Sequence, residues 1–488
     1  MRSRSPCWRD DWTMTTTRRH LQGCRTGICS GPWPFIALNS RPPTCIWSIR
    51  NLLMRTEVST PLKGRRLLVA VSGSIAAVKT PLLVSALVKA GAEVRCLVTP
   101  SAAKLVSPLA LATLSRHRCY TENVEWDSSC SRPLHIELAE WAELVLLAPL
   151  SATSLSRWSQ GSADGLLASV LLACECPVLP AIAMNTAMWS HPAVQRNWQI
   201  VQTFPGVVPL MPQPGLLACD RLGEGRMADP MLIELAASSL FSRCDAGPVA
   251  TQDWSGRRLL VSAGPTVEPI DQARLITNRS SGAMGVLLAQ AARLRGAEVV
   301  LVHGPLQVPE PWLESLHCHP VSSAAEMQAV LEQQQPGVDA IAMAAAIADL
   351  RRDATANGSA DGKVSKANLA VQLTDGWELV PDLLQGLAAR RPAGQLILGF
   401  AALTGDDNVL RRIGEEKRLR KGCDLLLVNP IDRPGQGFSM PYNGGWLLGD
   451  GWTKQLPVTG KLQLAHQLLD TLLDVSQQVP SSPVPAGQ

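Results

Sequence analysis

From Arg66 onward, short apolar runs alternate with longer stretches of helical period. Residues 67–71 read as a strand, Ser72-Gly73-Ser74 as a turn, 75–89 as a helix and 93–98 as a second strand. That is a β-α-β unit. The alternation continues with a helix near 133–141, a strand at 144–148, a helix at 165–173 and a strand at 178–183. Strands that are apolar almost throughout belong to a parallel sheet covered on both faces. The pattern lapses between 242 and 256, and a second register then begins. It predicts a strand at 259–263, a helix at 283–295 and a strand at 298–302. A helix at 324–334 and a strand at 339–344 follow, then a polar interruption over 351–366. A helix near 382–390, strands at 395–400 and 424–428, and a charged helix at 406–421 complete it. The fold class is therefore α/β, with two tandem Rossmann-like three-layer domains and mostly parallel sheets. The predicted boundaries are 64–243 for the first domain, 244–255 for a linker and 256–475 for the second domain.

Both ends of the chain differ from this. Residues 1–63 show no helical or strand period and no apolar block of a signal peptide. They read as a disordered extension or a misassigned start. Residues 476–488 are rich in Ser, Pro and Gln and read as a disordered tail. The 488 residues are 46% hydrophobic and 18% charged, with a net charge of +4, which describes an ordinary globular protein. No basic stripe with interleaved aromatics suggests nucleic-acid binding. No apolar run reaches the roughly 18 residues of a membrane span. The 13 cysteines form no paired CxxC motifs, and their scatter through predicted core elements argues for a reducing, cytoplasmic compartment.

Two stretches carry candidate chemistry. The first, 215–229 (GLLACDRLGEGRMAD), sets Cys219 in a loop whose glycines permit movement, with Arg226 as a possible anion contact. Upstream, three strand ends carry small hydroxyl turns. Gly73 and Ser74 lie in VSGSIAA, Thr99 in VTPS and Ser151 in APLSA, each before a predicted helix, where backbone N–H groups suit a phosphate. His135 opens the helix HIELAEWAE, and Asn185 follows the strand at 178–183.

The second stretch, 264–285 (GPTVEPIDQARLITNRSSGAMG), exceeds the about 2–6 residues of an ordinary strand-to-helix turn, so it reads as a functional loop. Asn278, Ser280 and Ser281 supply donors just before the next helix. The stretch is neither a Walker A loop nor a G-x-G-x-x-G turn. Downstream, Ala344, Ala345 and Asp349 lie at a strand end, where the carboxylate suits Mg²⁺ or a ribose. Lys363 and Lys366 lie in the polar interruption, and Lys417 and Lys421 share one face of the charged helix.

The combination GSIAA, HIELAEWAELVLLAPLSA, AMN and ACDRLGEGRM resembles the flavin-dependent phosphopantothenoylcysteine decarboxylases over about 65–229. The resemblance implies a flavodoxin-like domain that holds FMN through Gly73, Ser74, Thr99 and Ser151. It implies His135 as a base or orienting group, Asn185 as a binder of the substrate carboxylate and Cys219 as the proton donor. In such chemistry the flavin oxidises the substrate thiol, so that the carbanion left by CO₂ loss is stabilised. Residues 256–474, through the loop around NRSSG, AAAIAD, KVSK, the Pro381–Leu384 turn, GFAALT and KRLRK, resemble phosphopantothenate–cysteine ligases. That resemblance implies CTP as activating nucleotide, Mg²⁺ at Asp349, and an acyl-cytidylate opened by cysteine. Asn278 would stabilise the acyl-nucleotide and Lys363 the phosphate charge. Ala344, Ala345 and Asp349 would line the nucleotide site, with Pro381, Asp382, Leu383 and Leu384 on a second segment. Phe400, Lys417 and Lys421 would complete it. Ala283 departs from the pattern, since many members carry Lys there. The fused order is similar to that of the bifunctional decarboxylase–ligase family of coenzyme A biosynthesis, CoaBC. It implies small-molecule substrates and a homo-oligomer, dodecameric by resemblance. A regulatory flavoprotein of the same family without full activity is the alternative.

Overall fold

A computed structural model of the chain describes residues 60–125, 132–243, 249, 252–352, 363–374 and 376–478. The expectations for 1–59, for 479–488 and for most of the linker lie outside those residues. The first sheet contains β1 (Arg66–Val71), β2 (Glu93–Val98), β3 (Cys119–Thr121), β4 (Leu144–Leu150) and β5 (Val178–Ile182). All five are parallel, in the order β3-β2-β1-β4-β5. Every residue of β4 and β5 is buried, as helix cover on both faces demands. The chain builds outward from β1 to β3, then resumes on the other side of β1 with β4. The β1–β4 boundary is thus the switch point where such sheets open a crevice.

The predicted single helix at 75–89 is instead a 3₁₀ turn, Ile75–Lys79, followed by an α-helix, Thr80–Lys89. Pro81 lacks the N–H that would continue an α-helical ladder backward, so it sits in the first turn of a new helix. The Thr80 hydroxyl fixes the join by donating to the Ala148 carbonyl at 2.8 Å.

After β5 come a hairpin of β6 (Gln213–Leu216) and β7 (Leu222–Arg226) and the helix Pro230–Phe241. The Asp229 side chain caps that helix, and nine of its twelve residues are buried. A helix apolar on so many sides packs on more than one partner. This one lies against Thr80–Lys89 and against the 3₁₀ turn Glu310–Leu313.

The second register opens with β8 (Arg258–Ala263). The stretch at 264–285 is not a plain loop, because it contains the hairpin of β9 (Val267–Asp271) and β10 (Arg274–Thr277). Next come β11 (Glu298–His303), β12 (His317–Pro320) and β13 (Ala340–Met343). The polar interruption is likewise structured at both ends. β14 (Leu350–Arg352) pairs with β15 (Trp377–Leu379), and Lys366–Thr374 is helical. β16 (Leu396–Leu403), β17 (Leu425–Pro430), β18 (Tyr442–Gly449) and β19 (Trp452–Gly460) finish the series. The sheet order is β12-β11-β8-β13-β16-β17-β18-β19, parallel through β17 and antiparallel beyond. Its switch point lies between β8 and β13.

The two registers share one core. Leu83, Leu232 and Leu240 from the first belong to the same buried cluster as Leu259, Leu288 and Leu468 from the second. Charge closes the junction. Arg243 of the first register donates to Asp470 of the second at 3.0 Å, and Arg295, bidentate on Asp253 at 2.8 and 2.7 Å, reaches the same Asp470 carboxylate at 2.7 Å. His466 Nε2 lies 2.9 Å from the Ser239 hydroxyl across the same seam.

Candidate active sites

At the first switch point, a buried hydroxyl ties the two strand ends together. Ser72 donates to the Pro149 carbonyl at 2.8 Å and accepts from the Ser151 N–H at 2.7 Å. The predicted hydroxyl turns surround this stitch. Ser74 and Ser151 are helix N-caps, and the Thr99 hydroxyl accepts from the Ala102 N–H at 3.3 Å. Gly73 passes so close to the next turn that an added Cβ would sit 2.5 Å from Ser101 Cβ. Next to these turns, Ile75, Val78 and Leu82 remain exposed along one stripe. Hydroxyl-lined strand ends beside an uncovered apolar stripe suit a ligand with a polar tail and a flat apolar ring.

Cys219 lies at the tip of the β6–β7 hairpin, exposed, and accepts a hydrogen bond from Asn185 Nδ2 at 3.1 Å. The other end of that amide, Oδ1, accepts from the Ala187 N–H at 2.9 Å and so caps the helix Thr186–Trp189. The amide is therefore oriented by the backbone before it meets the thiol. The hairpin docks through Gly225, whose carbonyl accepts from the Met184 N–H at 3.0 Å. Gly225 has φ +141°, and a Cβ there would lie 2.1 Å from the Met184 oxygen, so only glycine fits.

His135 is held elsewhere. Its Nδ1 lies 3.1 Å from Glu125 Oε1, on the wall of a cavity of about 590 Å³ that also contains Glu122 and Asp164. That wall includes neither Cys219 nor Asn185. Arg226, expected as an anion contact, is paired internally. Its Nη2 donates to Glu314 Oε1 at 2.7 Å, and the second Glu314 oxygen accepts from the Asp229 N–H at 3.0 Å. Gln213 Nε2 reaches the Ser315 hydroxyl at 2.6 Å. Both ends of the Cys219 hairpin are thus tied to the second register. Burial pushes the Glu314 carboxyl up, against the lowering by these partners.

The second switch point opens a cavity of about 710 Å³. The turn before the helix Ala283–Leu294 forms one wall. Ser280 and Ser281 hydroxyls accept from the N–H groups of Gly282 and Ala283, and Gly282 takes φ +77°. Asn278 Nδ2 donates to the carbonyls of Ala346 and Ile347 at 3.1 and 3.0 Å, which fixes the loop after β13. That loop carries Ala344, Ala345 and Asp349 to the cavity. Pro381, Asp382, Leu383 and Leu384 form a second side, and Phe400, Lys417 and Lys421 a third. Lys421 pairs with Asp382 at 3.0 Å. The Lys417 ammonium is held below its usual range by burial first, then by Lys421 and Arg420.

Lys363 is not on the cavity wall. It is exposed, and its neighbour Val364 is held by Asp271 and Arg274. The residues before Lys363 lie outside the described ones. Among the described residues, no group of three or more His, Cys, Asp or Glu converges on a metal position. Asp349 shares the cavity with one other carboxylate, Asp382. Sequence reading missed Ser72, Glu314, Asn443 and Lys461. Only Ser72 had a signal, its place at the end of β1. The others lie on segments whose partners are remote in the chain.

Residues 55–235 match the family model described as "Flavoprotein", and residues 254–475 match the one described as "DNA/pantothenate metabolism flavoprotein C-terminal domain". The chain is 34% identical over 418 residues to the coenzyme A biosynthesis bifunctional protein CoaBC of Bacillus subtilis (strain 168), covering 86% of this chain and 98% of that protein. It is 38% identical over 423 residues to the CoaBC of Mycobacterium tuberculosis (strain H37Rv), covering 84% and 96%. Among solved structures, a C-terminal domain of CoaBC aligns with TM-score 0.37 and 29% identity, over 47% of this chain and 100% of that one.

Proposed function

The chain belongs to the CoaBC family, bifunctional enzymes of coenzyme A biosynthesis with decarboxylase and ligase activities, and we propose how its two sites divide that work. In the second register, CTP activates the carboxylate of 4′-phosphopantothenate as an acyl-cytidylate, and cysteine displaces CMP. In the first register, FMN-dependent decarboxylation converts 4′-phosphopantothenoylcysteine to 4′-phosphopantetheine. The domain limits are 64–243 and 256–475, and the enzyme works in the cytoplasm.

The observation that carries the reading is the convergence on one cavity of Asn278, Asp349, Asp382, Phe400, Lys417 and Lys421. A triphosphate needs cations and oriented N–H groups near its oxygens. Lys417, Lys421 and the capped turn at 280–283 supply them. Asn278 locks the loop carrying Asp349, so the acyl-nucleotide meets a fixed wall. Mg²⁺ fits this donor set, because it is commonly held by one or two carboxylates plus substrate phosphates. Asp349 and Asp382 would be those carboxylates.

FMN fits the first switch point, where Gly73, Ser74, Thr99 and Ser151 line the strand ends beside the uncovered Ile75–Val78–Leu82 stripe. When bound, it supplies the redox chemistry that makes carboxylate loss feasible. Asn185 holds the Cys219 sulfur through one N–H and offers the other to a carboxylate. Cys219, at the hairpin tip, donates the final proton. His135 faces a different cavity in the single chain, so a homo-oligomer completes the decarboxylase site. The same exposed stripe gives that assembly an apolar surface to bury.

Purified protein should carry a flavin spectrum and release pyrophosphate from CTP only with phosphopantothenate and cysteine present. It should release CO₂ from supplied 4′-phosphopantothenoylcysteine without CTP. A colourless protein that leaves CTP untouched would overturn the proposal.

A further inference from the structure

Lys461 is the first residue of the helix Lys461–Gln478, directly after β19. It is 6% exposed and lines the ligase cavity. Its backbone N–H is satisfied by the Pro441 carbonyl at 3.2 Å, which fixes where the side chain starts. Among the described residues, its ammonium has neither an ion pair nor a hydrogen bond. Lys421, by contrast, already has Asp382. Burial alone pushes the Lys461 ammonium down, with no carboxylate near enough to raise it again.

A second unpartnered group stands beside it. Asn443 on β18 pairs in register with Thr459 on β19, two residues before Lys461. It is 4% exposed, lines the same cavity, and its Oδ1 is buried without a hydrogen-bond donor. A folded protein rarely retains a buried amide oxygen without a donor next to a largely buried lysine without an anion. Where it does, and both border a cavity, a ligand is the missing partner. An ammonium requires an anion. An amide can donate to a phosphate oxygen while its own oxygen accepts from a hydroxyl or an amide N–H. Phosphate groups occur in both phosphorylated substrates of the ligase.

We propose that Lys461 and Asn443 form a phosphate-binding wall of the ligase cavity, distinct from the Lys417–Lys421 helix face. The inference rests on the ligase reading for its substrates, though the wall would bind an anion whatever the reaction. The phosphate comes either from the nucleotide or from the end of 4′-phosphopantothenate. The two sources differ in which Michaelis constant moves.

The test uses the full chain with Lys461→Met, which keeps length but removes charge, and Lys461→Arg, which keeps charge. Lys461→Met should raise one Michaelis constant, for CTP or for 4′-phosphopantothenate, at least tenfold. Lys461→Arg should restore most of that loss, which a packing role would not allow. In the wild type, affinity for the same substrate should fall with rising pH through a group titrating below ordinary lysine. That limb should vanish in Lys461→Met. Release of CO₂ from supplied 4′-phosphopantothenoylcysteine reports that each variant is folded. Should Lys461→Met not fold, Asn443→Asp serves instead, because its carboxylate would neutralise Lys461 internally and raise the same constant. If both Michaelis constants stay within twofold of wild type in a folded variant, the inference is wrong. If wild-type protein ignores CTP yet binds tripolyphosphate in calorimetry, and Lys461→Met abolishes that binding, the ligase reading fails while the phosphate wall stands.

Discussion

Replacing Glu314 by Ala should impair the reaction at Cys219, although Glu314 belongs to the other register. Its carboxylate holds Arg226 Nη2 at 2.7 Å and the Asp229 N–H at 3.0 Å, both at the C-terminal foot of the Cys219 hairpin. Each charge-assisted bond is worth about 1.5–3 kcal/mol when well shielded. The Arg226 side chain is 38% exposed, so solvent screening brings that bond down to about 0–1 kcal/mol. The Asp229 bond, to a carboxylate only 14% exposed, keeps about 1.5 kcal/mol. Removing the carboxylate also relieves its own desolvation, which acts in the opposite direction. The balance is about 1–2 kcal/mol, or about 5–30-fold in the fraction of hairpins correctly seated. In Glu314→Ala, CO₂ release from supplied 4′-phosphopantothenoylcysteine should slow by that factor, and cysteine ligation should stay near wild type. Glu314→Gln keeps an acceptor for Asp229 and should fall between. A folded Glu314→Ala that decarboxylates within twofold of wild type would refute the coupling.

Three further outcomes follow from the geometry. Cys219→Ser should leave CTP-dependent ligation intact while phosphopantetheine release stops, measured by separate product assays; loss of both would break the two-site scheme. Asn278→Asp removes the donor to the Ala346 and Ile347 carbonyls and sets a negative charge against them. Ligation should fall about 100-fold or more with decarboxylation unchanged, at the roughly 3–4 kcal/mol scale of a lost oriented donor. His466 is held neutral, its pKa pushed down to about 3 by burial first, then by Arg295 and Arg243. The unfolded chain protonates this group near 6.5, so between about 6.5 and 3 unfolding takes up a proton. Stability should therefore drop by up to about 1.4 kcal/mol per pH unit as pH falls through that window. His466→Gln should flatten that slope in denaturant titrations at pH 4–6; an unchanged slope would acquit His466.

Element types were legible where central strands are buried on both faces, as in β4, β5, β13 and β17, because continuous apolar runs such as 144–150 admit few other readings. The errors fell where local and tertiary signals compete. At 267–277, Pro269 and the acidic residues read as loop, yet β9 and β10 pair there, with the acidic Glu268 and Asp271 on the buried positions and Leu275 exposed, so no apolar alternation announces the hairpin. At 75–89, helical period was real, but Pro81 divides it. Site residues were legible where their own turn defines them. Ser74 and Ser151 cap the helices they precede, Asn278 leads the Ser280–Gly282 turn, Asn185 caps the short helix Thr186–Trp189, and Cys219 sits at the tip of its own hairpin.

Charged side chains were the least legible, for a reason that separates Arg226 from Lys461. In sequence Arg226 stands in a glycine-bearing loop, where a cation suggests an anionic ligand, whereas Lys461 opens an ordinary helix and suggests nothing. What decides between ligand contact and structural pair is whether the fold brings an internal carboxylate within reach, and that carboxylate is usually distant in the chain. For Arg226 it is Glu314, so the guanidinium is committed to holding the hairpin. Lys421 has Asp382 and shares its charge between wall and ligand. For Lys461 no carboxylate among the described residues forms an ion pair, and its half-desolvated ammonium opens only onto the cavity it lines. The availability of a cation for a substrate thus depends on the anions around it, which explains why the cation least suggested by sequence is the one with the strongest structural claim on a phosphate.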